Sequence, residues 1–135
     1  MPVQFVNPDG ITKPTSYSQV AIATGTKIIF ISGQVALDED GNLVGKGDLS
    51  RQTEQAYLNI AAALAGIGAS FNDVAKVTIY VVGWTPDKME PLVTGAMRAV
   101  EKIGFDPRKA MTLVGVATLA SPDLLIEVEV TAVLP

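Results

Sequence analysis

The sequence predicts an α+β sandwich, with two helices packed on one face of a mixed sheet in the order β-β-α-β-α-β-β. Three patterns carry that expectation. Two stretches repeat apolar residues at spacings of three and four, the period of a helix with one buried stripe. Short β-branched runs flank them, joined by short connections. The last run alternates Ile126, Val128, Val130 and Ala132 with Glu127, Glu129 and Thr131, as a strand covered on one face does.

Taken in order, residues 1–18 read as irregular or edge-like, because Pro2, Pro8, Gly10 and Pro14 interrupt them. Val20 to Ala23 is a short apolar run, and Gly25-Thr26 makes a turn. Lys27 to Gln34 reads as a buried strand, rich in β-branched and aromatic residues. Asp38 to Asn42 is a polar turn; the spacing of its acids does not fit a calcium-binding loop. The first helix is expected over Asp48 to Gly68, capped by Asp48 or Ser50 and ended by Gly66 or Gly68. Its core stripe is Thr53, Ala56, Tyr57, Ile60, Leu64 and Ile67. Asp73 to Val82 is the next strand. Thr85-Pro86-Asp87 starts a second helix, with Pro91 in its first turn or at a kink and Gly104 at its end. Met89, Leu92 or Val93, Ala96, Val100 and Ile103 form its expected buried stripe. Strands over Met111 to Val116 and Leu124 to Val133 complete the chain.

The 135 residues are expected to form a single domain, residues 1–135, with one core. An apolar fraction of 48% exceeds what so small a core absorbs, so the surplus is expected in a homo-oligomeric interface. No apolar run approaches the ~18–20 residues of a membrane span, and Met1 to Gln4 do not open a signal peptide. A cytoplasmic protein without membrane association is the expectation. A net charge of −4 with scattered Lys and Arg gives no footprint for nucleic acid. The chain has no Cys and no His, which excludes thiol nucleophiles, disulfides, Cys-ligated zinc and Ser-His-Asp triads. Acid–base chemistry would fall to Glu, Asp, Tyr, Lys or water. Neither a dinucleotide fingerprint nor a phosphate-binding loop is present.

Glu127 and Glu129 stand out as two carboxylates on one face of an otherwise apolar strand. That face is either solvated or the wall of a polar cleft, and the residues alone favour the first reading. Ser32 is either a strand-end hydroxyl bonding its own backbone or a ligand contact. Tyr17 lies in a loop, where function concentrates. Trp84, Thr112 and Gly115 read as packing residues.

Five segments, each weak alone, occur together in one order. They are Tyr17-Ser18, Ile31-Ser32-Gly33-Gln34, Asp73 to Val81, Thr112 to Ala117, and Ile126-Glu127-Val128-Glu129. With them the chain resembles the Rid family of imine deaminases, also known as YjgF-type proteins or L-PSP endoribonucleases, over nearly its whole length. The resemblance implies a chorismate-mutase-like fold, a homotrimer around a barrel of sheets, and small-molecule clefts between subunits. It implies no metal and no organic cofactor. It makes Glu127 the catalytic residue that positions water, with Tyr17 and Ser32 holding the ligand. The family's carboxylate-gripping Arg falls on Met111, which offers neither charge nor donor. Met111 and Leu113 are then expected to line the substrate side of the cleft, beside Glu127. Arg108, in the loop upstream, stays open as a substitute. Activity on ordinary 2-imino acids is accordingly not expected. Hydrolysis of another enamine or imine, binding without turnover, and the ribonuclease role attached to some relatives are the three readings. The acidic charge and lack of His weigh against the last.

Overall fold

A computed structural model describes residues 3–135; Met1 and Pro2, read above as part of the chain's start, lie outside them. The elements are β1 (Val3–Val6), β2 (Val20–Ala23), β3 (Lys27–Gln34), α1 (Leu49–Ala65), β4 (Val74–Val82), α2 (Met89–Ile103), β5 (Ala110–Val116) and β6 (Ile126–Leu134). The main sheet has the order β3-β6-β4-β5; β3 and β4 run antiparallel to β6, and β4 and β5 run parallel across α2. This is the expected helix-on-mixed-sheet sandwich with one strand more than expected. β1 pairs antiparallel with β2 in a separate two-stranded sheet. No proline or glycine falls between Pro2 and Pro8, so Val3–Val6 is free to extend.

One face of the sheet carries the core. Ile126, Val128, Val130 and Ala132 of β6 pack there with Val77, Ile79 and Val81 of β4 and with α1. Tyr57, Phe71 and Phe105 stack at one end of this core. The strand expected to be buried, β3, is instead an edge strand covered on one side only. Ile28 and Phe30 point to the other side and are 63% and 78% exposed.

The helix limits follow local chemistry. Asp48 caps α1 by accepting from the Arg51 amide at 3.1 Å, and Gly104 ends α2 in the left-handed region at φ 80°. Ile67 falls beyond α1 and is exposed, so the predicted stripe loses its last member. The sequence pattern missed Gln52, which is fully buried. Its amide donates to the carbonyls of Gly45 (3.1 Å) and Asp123 (3.0 Å), and its carbonyl accepts from the Leu125 amide (2.9 Å). A polar side chain with all those partners is as much a core residue as a leucine, and it fixes the chain just before β6 begins.

The buried stripe of α2 also differs from expectation. Leu92, Gly95 and Ala99 are buried, whereas Met89 and Val93 are exposed. Gly95 is the cause: a Cβ there would lie 2.2 Å from the Ser50 carbonyl oxygen, so α2 turns its glycine face onto α1. Met89, Val93 and Met97 are thereby left on a face that the helix pair does not cover. No helix among the described residues is long and apolar enough to cross a membrane.

Candidate functional site

The uncovered face of the sheet presents the polar half of the site. In the pairing of β4 with β6, Tyr80 stands opposite Glu127 and Thr78 opposite Glu129. Facing residues in a ladder share one side, so the two carboxylates and the phenol project together. The Tyr80 hydroxyl donates to Glu129 Oε1 over a long 3.4 Å. Its phenol is held above the usual range, chiefly by the negative charge of Glu129, then by burial, with Glu127 contributing least. Lys76, on the same face, is committed to the Thr112 hydroxyl at 2.6 Å.

On β3 the residue against the Glu127 carboxylate is a glycine. The β3–β6 register slips between Ile31 and Gln34, so Ser32 and Gly33 together oppose Glu129 as a β-bulge. The bulge brings the Gly33 backbone under Glu127. A Cβ at position 33 would sit 1.7 Å from Glu127 Oε2, which no side chain allows. The Ser-Gly-Gln run is therefore shaped by the carboxylate above it. Ser32 itself is exposed at the sheet edge, its carbonyl accepting from the Gln34 side chain at 3.1 Å.

The apolar half lies across the sheet. The loop before β2 is pinned to the start of β5: the Ser18 amide donates to the Lys109 carbonyl (2.9 Å) and its hydroxyl to the Arg108 carbonyl (2.8 Å). That places Tyr17 on the rim of a cavity of about 400 Å³, lined by Met89, Val93, Met97, Met111 and Leu113 among others. The face of α2 left open by Gly95 is one of its walls.

Within one chain these placements divide the expected site. Met111 and Leu113 pair with Val77 and Ile79 and so lie on the helix side of the sheet, not beside Glu127. Strand alternation decides this: Tyr80, which faces Glu127, has Val114 as its neighbour on β5. Glu127 is also two strands from β5, about 10 Å at the usual strand spacing. One chain thus sets Glu127 against the Ser32-Gly33 bulge, and gathers Tyr17 with Met111 and Leu113, but does not bring the two groups together. Arg108 does not enter the cavity. Its guanidinium forks onto Asp106 at 2.8 and 3.0 Å, holding that carboxyl down at about 2. Lys109 is 4% exposed, its ammonium 5.1 Å from the centre of the Phe5 ring. Burial lowers its pKa, against the raising influence of Asp106 and Asp73. The missed partner of Glu127 was legible in principle, since a glycine inside a strand marks a bulge or a close approach. Gly115 obeys the same rule as expected, with Trp84 Cβ 3.0 Å from where its own Cβ would be. Among the described residues no cluster of carboxylates is built to hold a metal ion.

The sequence pattern of the family described as Endoribonuclease L-PSP matches residues 10–134. A RutC family protein of Pyrococcus abyssi is 46% identical over 65 residues, which are 48% of this chain and 50% of that protein. The chain thus spans about half the length of the curated relatives it matches. YyfB of Yersinia pestis, a protein of unknown function in the Rid family, superimposes with a TM-score of 0.87 at 34% identity, covering 99% of this chain and 100% of its own. A putative endoribonuclease of Thermotoga maritima gives 0.68 at 32% identity, with 98% of each chain covered.

Proposed function

Because the chain belongs to the endoribonuclease L-PSP family, the Rid or YjgF-type proteins, we propose that it is a cytoplasmic homotrimer that hydrolyses a small enamine- or imine-type metabolite in clefts between subunits, without a cofactor. The observation that carries this reading is the division of the site. Glu127 and Ser32 lie on the open face at the β3 side, Tyr17 and the cavity at the β5 edge, and a cleft containing all of them needs two copies of the chain. The exposed apolar side chains of Ile28 and Phe30 on that open face are the surface a second copy would cover.

In this reading Glu127, held in place by the Gly33 bulge, accepts a proton from a water as its oxygen bonds to the imine carbon. The imine nitrogen takes up a proton, giving a carbinolamine. Collapse of that intermediate breaks the carbon–nitrogen bond and releases ammonia and a carbonyl compound. The residue at the family's carboxylate-binding position is Met111, so 2-imino acids lose their anchor and are poor substrates. The family's endoribonuclease description transfers badly, because the chain has a net charge of −4 and no His.

The test generates an imine in situ with a flavin amine oxidase and follows ammonia release with and without the protein. Acceleration over buffer that falls about 100-fold or more in Glu127→Gln supports the reading. No acceleration, or a Gln variant as fast as the parent, sinks it. Light scattering that gives a monomer at micromolar concentration removes the intersubunit cleft.

A further inference from the structure

We infer that the group this protein holds against its reacting carbon is uncharged and apolar, an alkyl or aryl substituent, so that the ligand is the imine or enamine of a neutral ketone or aldehyde. This rests on the catalytic reading above for the reaction and on the cavity alone for the ligand class. The cavity beside Tyr17, of about 400 Å³, is the size of a small-ligand site. Among the described residues no charged side chain lines it, and its polar side chains, Ser16, Tyr17, Gln19 and Tyr57, are uncharged.

The surrounding cations are all engaged elsewhere. Arg108 is forked onto Asp106. Lys109 lies buried against the Phe5 ring. Lys76 is on the other face with Thr112, and Lys88 caps the carbonyls of Val82 and Gly83 at 3.0 and 2.8 Å. A carboxylate moved from water into such a cavity loses its hydration and meets no counter-charge. An apolar group gains by the same transfer.

The lining also speaks to shape. Met89, Met97 and Met111 contribute three flexible thioethers, which adapt to irregular groups and make favourable contacts with aromatic ring edges. The cavity therefore fits a class of apolar substituents, with aryl groups favoured.

Two aryl ketones that differ in one substituent test this: acetophenone, and phenylglyoxylate, in which a carboxylate replaces the methyl group. Ligand-detected NMR on the full chain measures both affinities. The expected result is acetophenone bound at least about tenfold more tightly, with the preference reversed in Met111→Arg. Val93→Arg, on the exposed helix surface, carries the same test if Met111→Arg does not fold. Equal or tighter binding of phenylglyoxylate by the parent, or no binding of either ketone at millimolar concentration, overturns the inference. The corresponding imines separate it from the catalytic reading. Selective ketone binding with neither imine hydrolysed leaves the ligand class standing and removes the catalysis. Faster hydrolysis of the carboxylate-bearing imine does the reverse.

Discussion

The cluster around Glu127 and the cavity beside Tyr17 are built from opposite faces of one sheet, and by different means. The first is made of strand positions fixed by ladder register, with a bulge that puts a glycine under a carboxylate. Its side chains are charged or hydroxylic. The second is made of a loop pinned by two hydrogen bonds and of a helix face left open because Gly95 turns α2 toward α1. Its side chains are uncharged and mostly apolar. A ladder specifies position closely, which suits a group that must orient water. A loop and a row of methionines specify composition and leave shape adjustable, which suits a group that must admit a substituent.

The largest expected effect separates the two halves directly. Glu127→Gln should lower imine hydrolysis about 100-fold or more while leaving the affinity for acetophenone within about twofold. Parallel kinetics and NMR titration check it; loss of both together would mean that the halves are one structural unit.

Next comes the anchor of the polar half. Gln52→Leu takes the side-chain partner from the carbonyls of Gly45 and Asp123 and from the Leu125 amide, and should cost about 2–3 kcal/mol in urea unfolding. Leu125 stands just before β6, so the residual activity should fall more than ligand affinity does.

Gly33→Ala places a methyl group where Glu127 Oε2 now sits. Overpacking of that kind costs about 1–3 kcal/mol. In the double variant with Glu127→Ala the penalty should largely disappear, and a coupling energy near zero in that cycle would show that the bulge relaxes independently of the carboxylate.

The smallest effect concerns the apolar half. Asp106→Asn releases the Arg108 guanidinium beside Pro107, a residue of the cavity lining. Affinity for phenylglyoxylate should rise by about two- to fivefold, the scale of an exposed ion pair. The same variant has a pH signature. The Asp106 carboxyl is lowered from 3.8 to about 2 in the fold, first by the Arg108 side-chain hydrogen bond. A depressed carboxylate adds stability that is present above the ordinary value and lost as pH falls through the folded one. Acid unfolding of the parent should therefore include a component between about pH 4 and 2 that Asp106→Asn lacks.

Much of the fold was legible because periodicity reports burial. The β3 limits, Lys27–Gln34, match the sequence reading, and the alternation of β6 correctly sorted Ile126, Val128 and Val130 from Glu127 and Glu129. What periodicity could not report was which neighbour covers each face. β3 looked buried because Ile28 and Phe30 are apolar, yet within one chain nothing lies over them. Gln52 looked polar and was core, because its partners are backbone groups distant in sequence. The stripe of α2 was displaced by the close contact at Gly95, a tertiary event that no helical wheel contains.

Local pattern alone determined the types of every element but β1, the helix-on-sheet sandwich, the family resemblance and the place of Met111 in it. It did so because a side chain's preference for strand, helix or turn, and its apolar or polar character, are carried by a few consecutive residues. The juxtapositions were decided only by the tertiary structure. Gly33 under Glu127, Met111 on the face away from Glu127, and Arg108 held by Asp106 all depend on strand order, register and loop closure. Those are set by how distant segments pack, and they decide which side chains share a site.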